Sequence, residues 1–201
     1  MSRTPICLPN VNKLMIVVGS VRPGRIGLPI AQWVESVAAA DFEVDLVDLA
    51  ELDLPFMDEP NHPSQRNYTK QHTIDWSARV DAADAVILVT PEYNHSYSPA
   101  LKNAMDYLHG EWWRKPVGFV SYGGVSGGTR GVLSLEPVIS YLGMVRAGAQ
   151  VEIPFAGRQV ADGVFTPSEK ESAILAKELV ELEGLAAALR PLQNRALELR
   201  A

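Results

Sequence analysis

Cysteine is nearly missing from this chain: there is one, Cys7, in 201 residues. A single thiol closes no disulfide within the chain, and no Cys/His set has metal-ligand spacing. Long apolar runs are missing too. The first dozen residues lack the continuous apolar stretch of a signal peptide, and no run approaches the ~20 residues of a membrane span. These absences predict a soluble protein of a reducing cytoplasm that uses no membrane. Excess positive charge is also lacking. The 18 Lys and Arg against 24 Asp and Glu leave a formal net charge of −6, which disfavours a nucleic-acid or anionic-membrane binder. Familiar phosphate motifs are missing as well. No Gly-Lys-Ser/Thr follows the first glycines, and Gly19, Gly24 and Gly27 have the wrong intervals for G-x-G-x-x-G. Neither a Ser-His-Asp set nor a carboxylate pair is recognisable.

The chain has instead 47% hydrophobic residues, enough for a core in one domain of ordinary size. Strand and helix patterns alternate from end to end, with no repeat and no low-complexity segment. Strands are predicted for the apolar run ending at Gly19, and over 43–48, 85–90, 116–122 and 144–153. Helices are predicted over 26–40, 68–82, 99–108, 129–142 and 168 to about 200. Pro191 is expected to end or kink the last one. The first, third and fourth strands are near-continuous apolar runs, as in a parallel sheet covered on both faces. The second alternates and reads as an edge. This rhythm predicts a doubly wound α/β fold, one domain over 1–201 with its core at about 13–190 and a tail at 1–12. The Pro-rich stretch 52–67 reads as a surface loop.

Three loops follow the first, third and fourth strands, where open α/β sheets bind ligands. The first, G-S-V-R-P-G-R-I-G, carries a hydroxyl and two guanidinium groups to a helix N-terminus, a natural anion site. The bland alternative is a strand-to-helix turn with two solvated arginines. The second loop, T-P-E-Y-N-H-S-Y-S-P, crowds an aromatic, an amide and hydroxyls at one tip. The third, S-Y-G-G-V-S-G-G-T-R-G, is rich enough in glycine for close backbone approach. Together they suit a phosphorylated planar cofactor. His95 sits at a loop tip, and its position alone does not make it a proton donor. Lys102, Asn103 and Asp106 read as packing or interface groups. Trp112 and Trp113 could floor a pocket, meet a partner or simply pack.

The G-S-x-R-x-G loop, with P-E-Y-N-x-S and L-K-N-A-x-D-Y-L, resembles the NADPH-dependent FMN reductase family, flavodoxin-like proteins that include quinone, azo-dye and chromate reductases. The resemblance implies a three-layer flavodoxin-like fold with a five-stranded parallel sheet in the order 2-1-3-4-5. It implies FMN as cofactor and NADPH or NADH as co-substrate. It implies a small-molecule electron acceptor and a homodimer or homotetramer. By the same resemblance Ser20 and Arg22 hold the FMN phosphate, with Arg25, Ile26 and Gly27 beside them. Pro91, Glu92, Tyr93, Asn94 and Ser96 line the isoalloxazine, largely through main-chain atoms. Ser121, Gly123 and Gly124 form the wall at its pyrimidine side, and backbone N–H groups near Gly123 and Gly124 are expected to meet negative charge on the reduced ring. Many family members have a serine and an asparagine where Arg25 and Gly27 stand. Because the cofactor carries the chemistry, no catalytic side chain is assigned. The expected activity is ping-pong hydride transfer from NAD(P)H to flavin, quinone or a similar acceptor. An electron carrier or sensor without NAD(P)H oxidation, and a non-flavin domain binding another phosphorylated ligand, are the alternatives.

Overall fold

A computed structural model describes residues 12–198, with side chains to 193. Cys7 and the predicted tail lie outside the described residues, apart from residue 12. The central sheet is built on β1 (Lys13–Val18), β3 (Ala85–Pro91) and β4 (Pro116–Tyr122). Every residue of β3 and β4 is buried, which is why these segments read as unbroken apolar runs. Alternate side chains serve opposite faces, as the two-residue period requires. Met15 and Val17 join one core, while Leu14, Ile16 and Val18 join the other. The first core is covered by α3 (Gln71–Ala82), α4 (Pro99–Asp106) and α5 (Thr129–Tyr141). The second is covered by α1 (Gly27–Ala38) and α6 (Glu169–Glu198). Burying each large apolar side chain contributes about 1.5–3 kcal/mol.

The strand order is β2-β1-β3-β4-β5, all parallel, with β2 (Glu43–Asp48) at the predicted edge. The fold is therefore the expected three-layer, flavodoxin-like one. The register pairs Val18 with Val89, Val89 with Val120, and Pro91 with Tyr122. The carboxyl ends of three adjacent strands thus stand side by side, and so do the three loops.

The structure departs from the pattern in several places. The predicted strand 144–153 is two short ones, β5 (Val145–Arg146) and β6 (Val151–Ile153), both paired with β4. Between them Ala147 N still donates to Val117 O of β4 at 2.9 Å, but the next two amides and the facing Phe119 amide of β4 bond to α6 instead. Glu181 accepts from Gly148 N and Ala149 N at 2.7 and 2.8 Å, and Glu178 accepts from Phe119 N at 2.6 Å. The predicted helix 68–82 starts only at Gln71, because Glu59 binds the Thr69 and Lys70 amides. The stretch 52–67 is more ordered than a wandering loop. It follows a short α2 (Leu49–Leu52) and contains a 3₁₀ turn at Pro63–Gln65. Asn103 pins it by donating to Pro55 O at 2.7 Å and accepting from Met57 N at 3.1 Å. Helix α6 continues through Pro191 rather than ending there. It opens with a reciprocal cap: Ser168 N donates to Glu171 Oε2 at 2.6 Å, and Glu171 N to Ser168 Oγ at 3.2 Å. A small hairpin, β7 (Val160–Ala161) and β8 (Val164–Phe165), precedes it. Trp112 is buried against Trp76 and packs in the core, whereas Trp113 is exposed and lies beneath Arg114.

Candidate functional site

The first loop leaves β1 at Gly19, whose N–H donates to Val89 O at 2.9 Å. Ser20 follows, 2% exposed, and its hydroxyl shares a 2.6 Å hydrogen bond with Tyr93 Oη. A turn closes with Arg25 N donating to Arg22 O at 3.0 Å. Helix α1 then begins with no side-chain cap and no acid in its first turn. Its N-cap position is Ile26, which cannot accept from the first amides, and Pro29 carries no N–H. Among the described residues no side chain caps the positive end of the helix.

The two arginines have different fates. Arg25 Nη2 pairs with Asp48 Oδ2 at 2.5 Å, and the same carboxyl caps α2 through Ala50 N at 3.0 Å. Asp48 is buried, so most of the charge of Arg25 is matched in place. Arg22 is exposed and has no side-chain partner among the described residues. It is the free cation of the loop.

The second loop makes a tight turn. Tyr93 N donates to Ser96 O at 2.8 Å and Ser96 N to Tyr93 O at 2.9 Å. Its two central residues, Asn94 and His95, have φ of 51° and 67°, the pattern of a type I′ turn, for which asparagine is suited. Glu92 turns away from the tip and ties down the third loop. It accepts from Ser126 Oγ at 2.6 Å, Arg130 Nε at 2.6 Å and Arg130 N at 3.3 Å. Burial pushes the Glu92 carboxyl up, but these hydrogen bonds and the Arg130 charge outweigh it and hold the group below its ordinary range. In the third loop Ser121 is fully buried and donates to Gly127 O at 2.9 Å. Gly123 N–H is committed to Ile153 O at 3.3 Å, so it is unavailable to a ligand; the amide of Gly124, in open space, has no partner among the described residues.

These elements enclose a cleft lined by Ser20, Arg22, Arg25 and Ile26, by Pro91, Glu92 and Tyr93, and by Tyr122 and Gly123. All three predicted loops contribute. Gly27, Asn94, Ser96, Ser121 and Gly124 do not line it: Gly27 and Ser121 are buried behind it, Ser96 Oγ bonds Ser134 Oγ at 3.2 Å, and Asn94 and Gly124 are exposed at loop tips. Tyr122 was not anticipated. It ends an apolar strand, and nothing local marks where its hydroxyl goes. The cleft volume is about 170 Å³, small beside the roughly 300–1,000 Å³ of pockets that enclose a whole ligand. It suits the phosphate end of a ligand whose flat portion lies across the open loop tips. Among the described residues no His/Cys/Asp/Glu group could hold a metal ion, and no described helix is long and apolar enough to cross a membrane.

Comparison with known proteins agrees with this geometry. Residues 12–158 match the family model described as NADPH-dependent FMN reductase. An NAD(P)H-dependent FMN reductase of Schizosaccharomyces pombe is 36% identical over 160 residues, covering 78% of this chain and 80% of the relative. An FMN-dependent NADPH-azoreductase of Staphylococcus aureus is 32% identical over 167 residues, covering 81% of this chain and 84% of its own length. Among solved structures, the flavoenzyme NAD(P)H:(acceptor) oxidoreductase FerB of Paracoccus denitrificans has the same fold. Its TM-score is 0.69 at 23% identity, with 87% of this chain and 97% of that chain covered.

Proposed function

Because the chain belongs to the NADPH-dependent FMN reductase family, we propose that the three-loop cleft holds FMN by its phosphate and that the protein is an NAD(P)H-dependent oxidoreductase of small-molecule acceptors. One observation carries this reading: an uncapped helix N-terminus, and an arginine and a buried hydroxyl that have no partner among the described residues, meet at one cleft. That is a donor set waiting for an anion. When bound, FMN supplies hydride acceptance from NAD(P)H and hydride delivery to a second acceptor at the same face, a ping-pong order.

The chain's own residues bind and orient. Arg22 and the first amides of α1 hold the phosphate, with Ser20 positioned by Tyr93. The backbone of 92–95 offers a flat support, whose amides at Asn94 and His95, without partners among the described residues, can meet a polar ring edge. Gly124 N–H, rather than that of Gly123, is the third-loop donor able to meet developing negative charge. The Glu92 clamp to Ser126 and Arg130 keeps the second and third loops in register. No side chain of the cleft is needed as a proton donor.

A second copy of the chain, in a homodimer or homotetramer, belongs to the same reading. Beside the first loop Val21, Leu49, Leu54, Pro55, Phe56 and Ala100 line an apolar groove of about 550 Å³, with Phe56 86% exposed. Light scattering of the purified protein checks it. A cytoplasmic setting goes with the single cysteine and the nicotinamide co-substrate.

The function is tested by charging the purified chain with FMN and adding NADPH without oxygen. Loss of the blue flavin absorption, and its return on adding a quinone, is expected. A flavin that binds but is not bleached by NADPH or NADH would leave a carrier in place of an enzyme.

A further inference from the structure

The cleft contains a donor outside the first-loop motif. Tyr122 ends β4 and reaches across to the first turn of α1. A Cβ placed on Gly27 would lie 2.5 Å from Tyr122 Oη and 3.2 Å from its Cζ. Position 27 therefore has room only for glycine while the tyrosine keeps this pose. The tyrosine is 5% exposed, and its Oη is fully buried with no hydrogen-bond partner among the described residues. Ser20, the neighbour able to reach it, is already bonded to Tyr93. Burial raises the phenol well above its ordinary value, the Tyr93 hydroxyl adds to this, and Ser20 and the Arg22 and Arg25 charges only partly offset it. The group is thus a neutral O–H at any ordinary pH, able to donate. Arg25 Nε, beside it in the cleft, is also buried and unpartnered. A buried hydroxyl without a partner is costly, and this one lies where Arg22, Arg25 and the open end of α1 converge.

We propose that Tyr122 Oη donates to the cofactor's phosphoryl group and that the Gly27–Tyr122 pair is a specificity device selecting the phosphorylated flavin. This rests on the FMN reading above. A neutral donor from the strand adds a directed hydrogen bond to those of the α1 amides and to the charge of Arg22. The absent side chain at position 27 is what lets the phenol reach it.

The test compares binding of FMN and riboflavin, which differ by the phosphate, to flavin-free protein by fluorescence titration. In Tyr122→Phe one oxygen is removed. FMN affinity should fall roughly tenfold or more, the worth of one hydrogen bond to a charged group, while riboflavin affinity stays put. Gly27→Ala should lower the FMN preference too, by displacing the phenol, and should lower the melting temperature less in a Tyr122→Phe background. An unchanged FMN-to-riboflavin ratio in Tyr122→Phe, with wild type preferring FMN, overturns the Tyr122 assignment alone. A wild type that binds neither flavin overturns both it and the FMN reading.

Discussion

Arg22→Ala separates the two arginines of the first loop. Arg22 is exposed and has no partner to strand among the described residues, so its loss should change stability by no more than about 0.5 kcal/mol. Its guanidinium would make a charge-assisted bond to the phosphate, worth about 1.5–3 kcal/mol. At 1.4 kcal/mol per tenfold, that is roughly 10- to 150-fold in the FMN dissociation constant. Solvent exposure puts the expectation at the lower end, about 10- to 30-fold, and added salt should shrink it further. Arg25→Ala should behave differently. It strands the buried Asp48 carboxylate, whose side chain is 5% exposed against 21% for Arg25. Breaking a fully buried pair costs about 3–5 kcal/mol, so a loss near the bottom of that range is expected here. In a chain of this size about 3 kcal/mol lowers the melting temperature by roughly 6–12 °C. Flavin titration and thermal unfolding of both variants are the assays. FMN affinity within twofold of wild type in Arg22→Ala, or an unchanged melting temperature in Arg25→Ala, would refute the division of roles.

Three more expectations follow from particular contacts. Burial, with the Glu181 charge, raises the Glu178 carboxyl from 4.5 to about 8, against the opposing Phe119 N–H and Arg146. The folded chain then keeps a proton the unfolded chain releases, so this contribution to stability falls as pH rises through that window; urea midpoints should show the fall flattened in Glu178→Gln, and an identical slope would refute it. Lys115, pushed down to about 8 by burial, donates to Val80 O at 2.8 Å and to Ala83 O at the end of α3. Lys115→Met should cost about 1–3 kcal/mol in denaturant titrations by taking the ammonium donor from Ala83 O, while Val80 O keeps the Ala83 N–H at 3.2 Å; an unaffected midpoint would contradict the capping role. Glu92→Ala should speed amide exchange across 123–130 and weaken FMN binding several-fold, by freeing Ser126 and Arg130; unchanged exchange there would show that the clamp is dispensable.

The elements were legible where a local pattern carries them. The buried runs of β1, β3 and β4, the alternation of the edge strand β2 and the glycines of the third loop each announce their place. The strand order then brings the three loops together. What escaped the sequence depends on partners far along the chain. Arg25 meets Asp48 because β1 and β2 are neighbours, and Tyr122 meets Gly27 because the end of β4 stands near the first loop. The break between β5 and β6 is filled by Glu178 and Glu181 from α6, and no periodicity at 144–153 encodes it. Glu111 is another such case: a buried carboxylate accepting from Ser77 Oγ at 2.7 Å and Tyr68 Oη at 2.8 Å, with Arg66 beside it. In sequence it stands between a glycine and two tryptophans, and nothing local marks its burial.

A crystal structure of the chain soaked in FMN tests the central claim most directly. The phosphate should lie among Ser20, Arg22, Tyr122 and the first amides of α1, with the ring across 92–95 and 123–124. A phosphate bound elsewhere, or a cleft that stays empty at saturating FMN, would contradict the account.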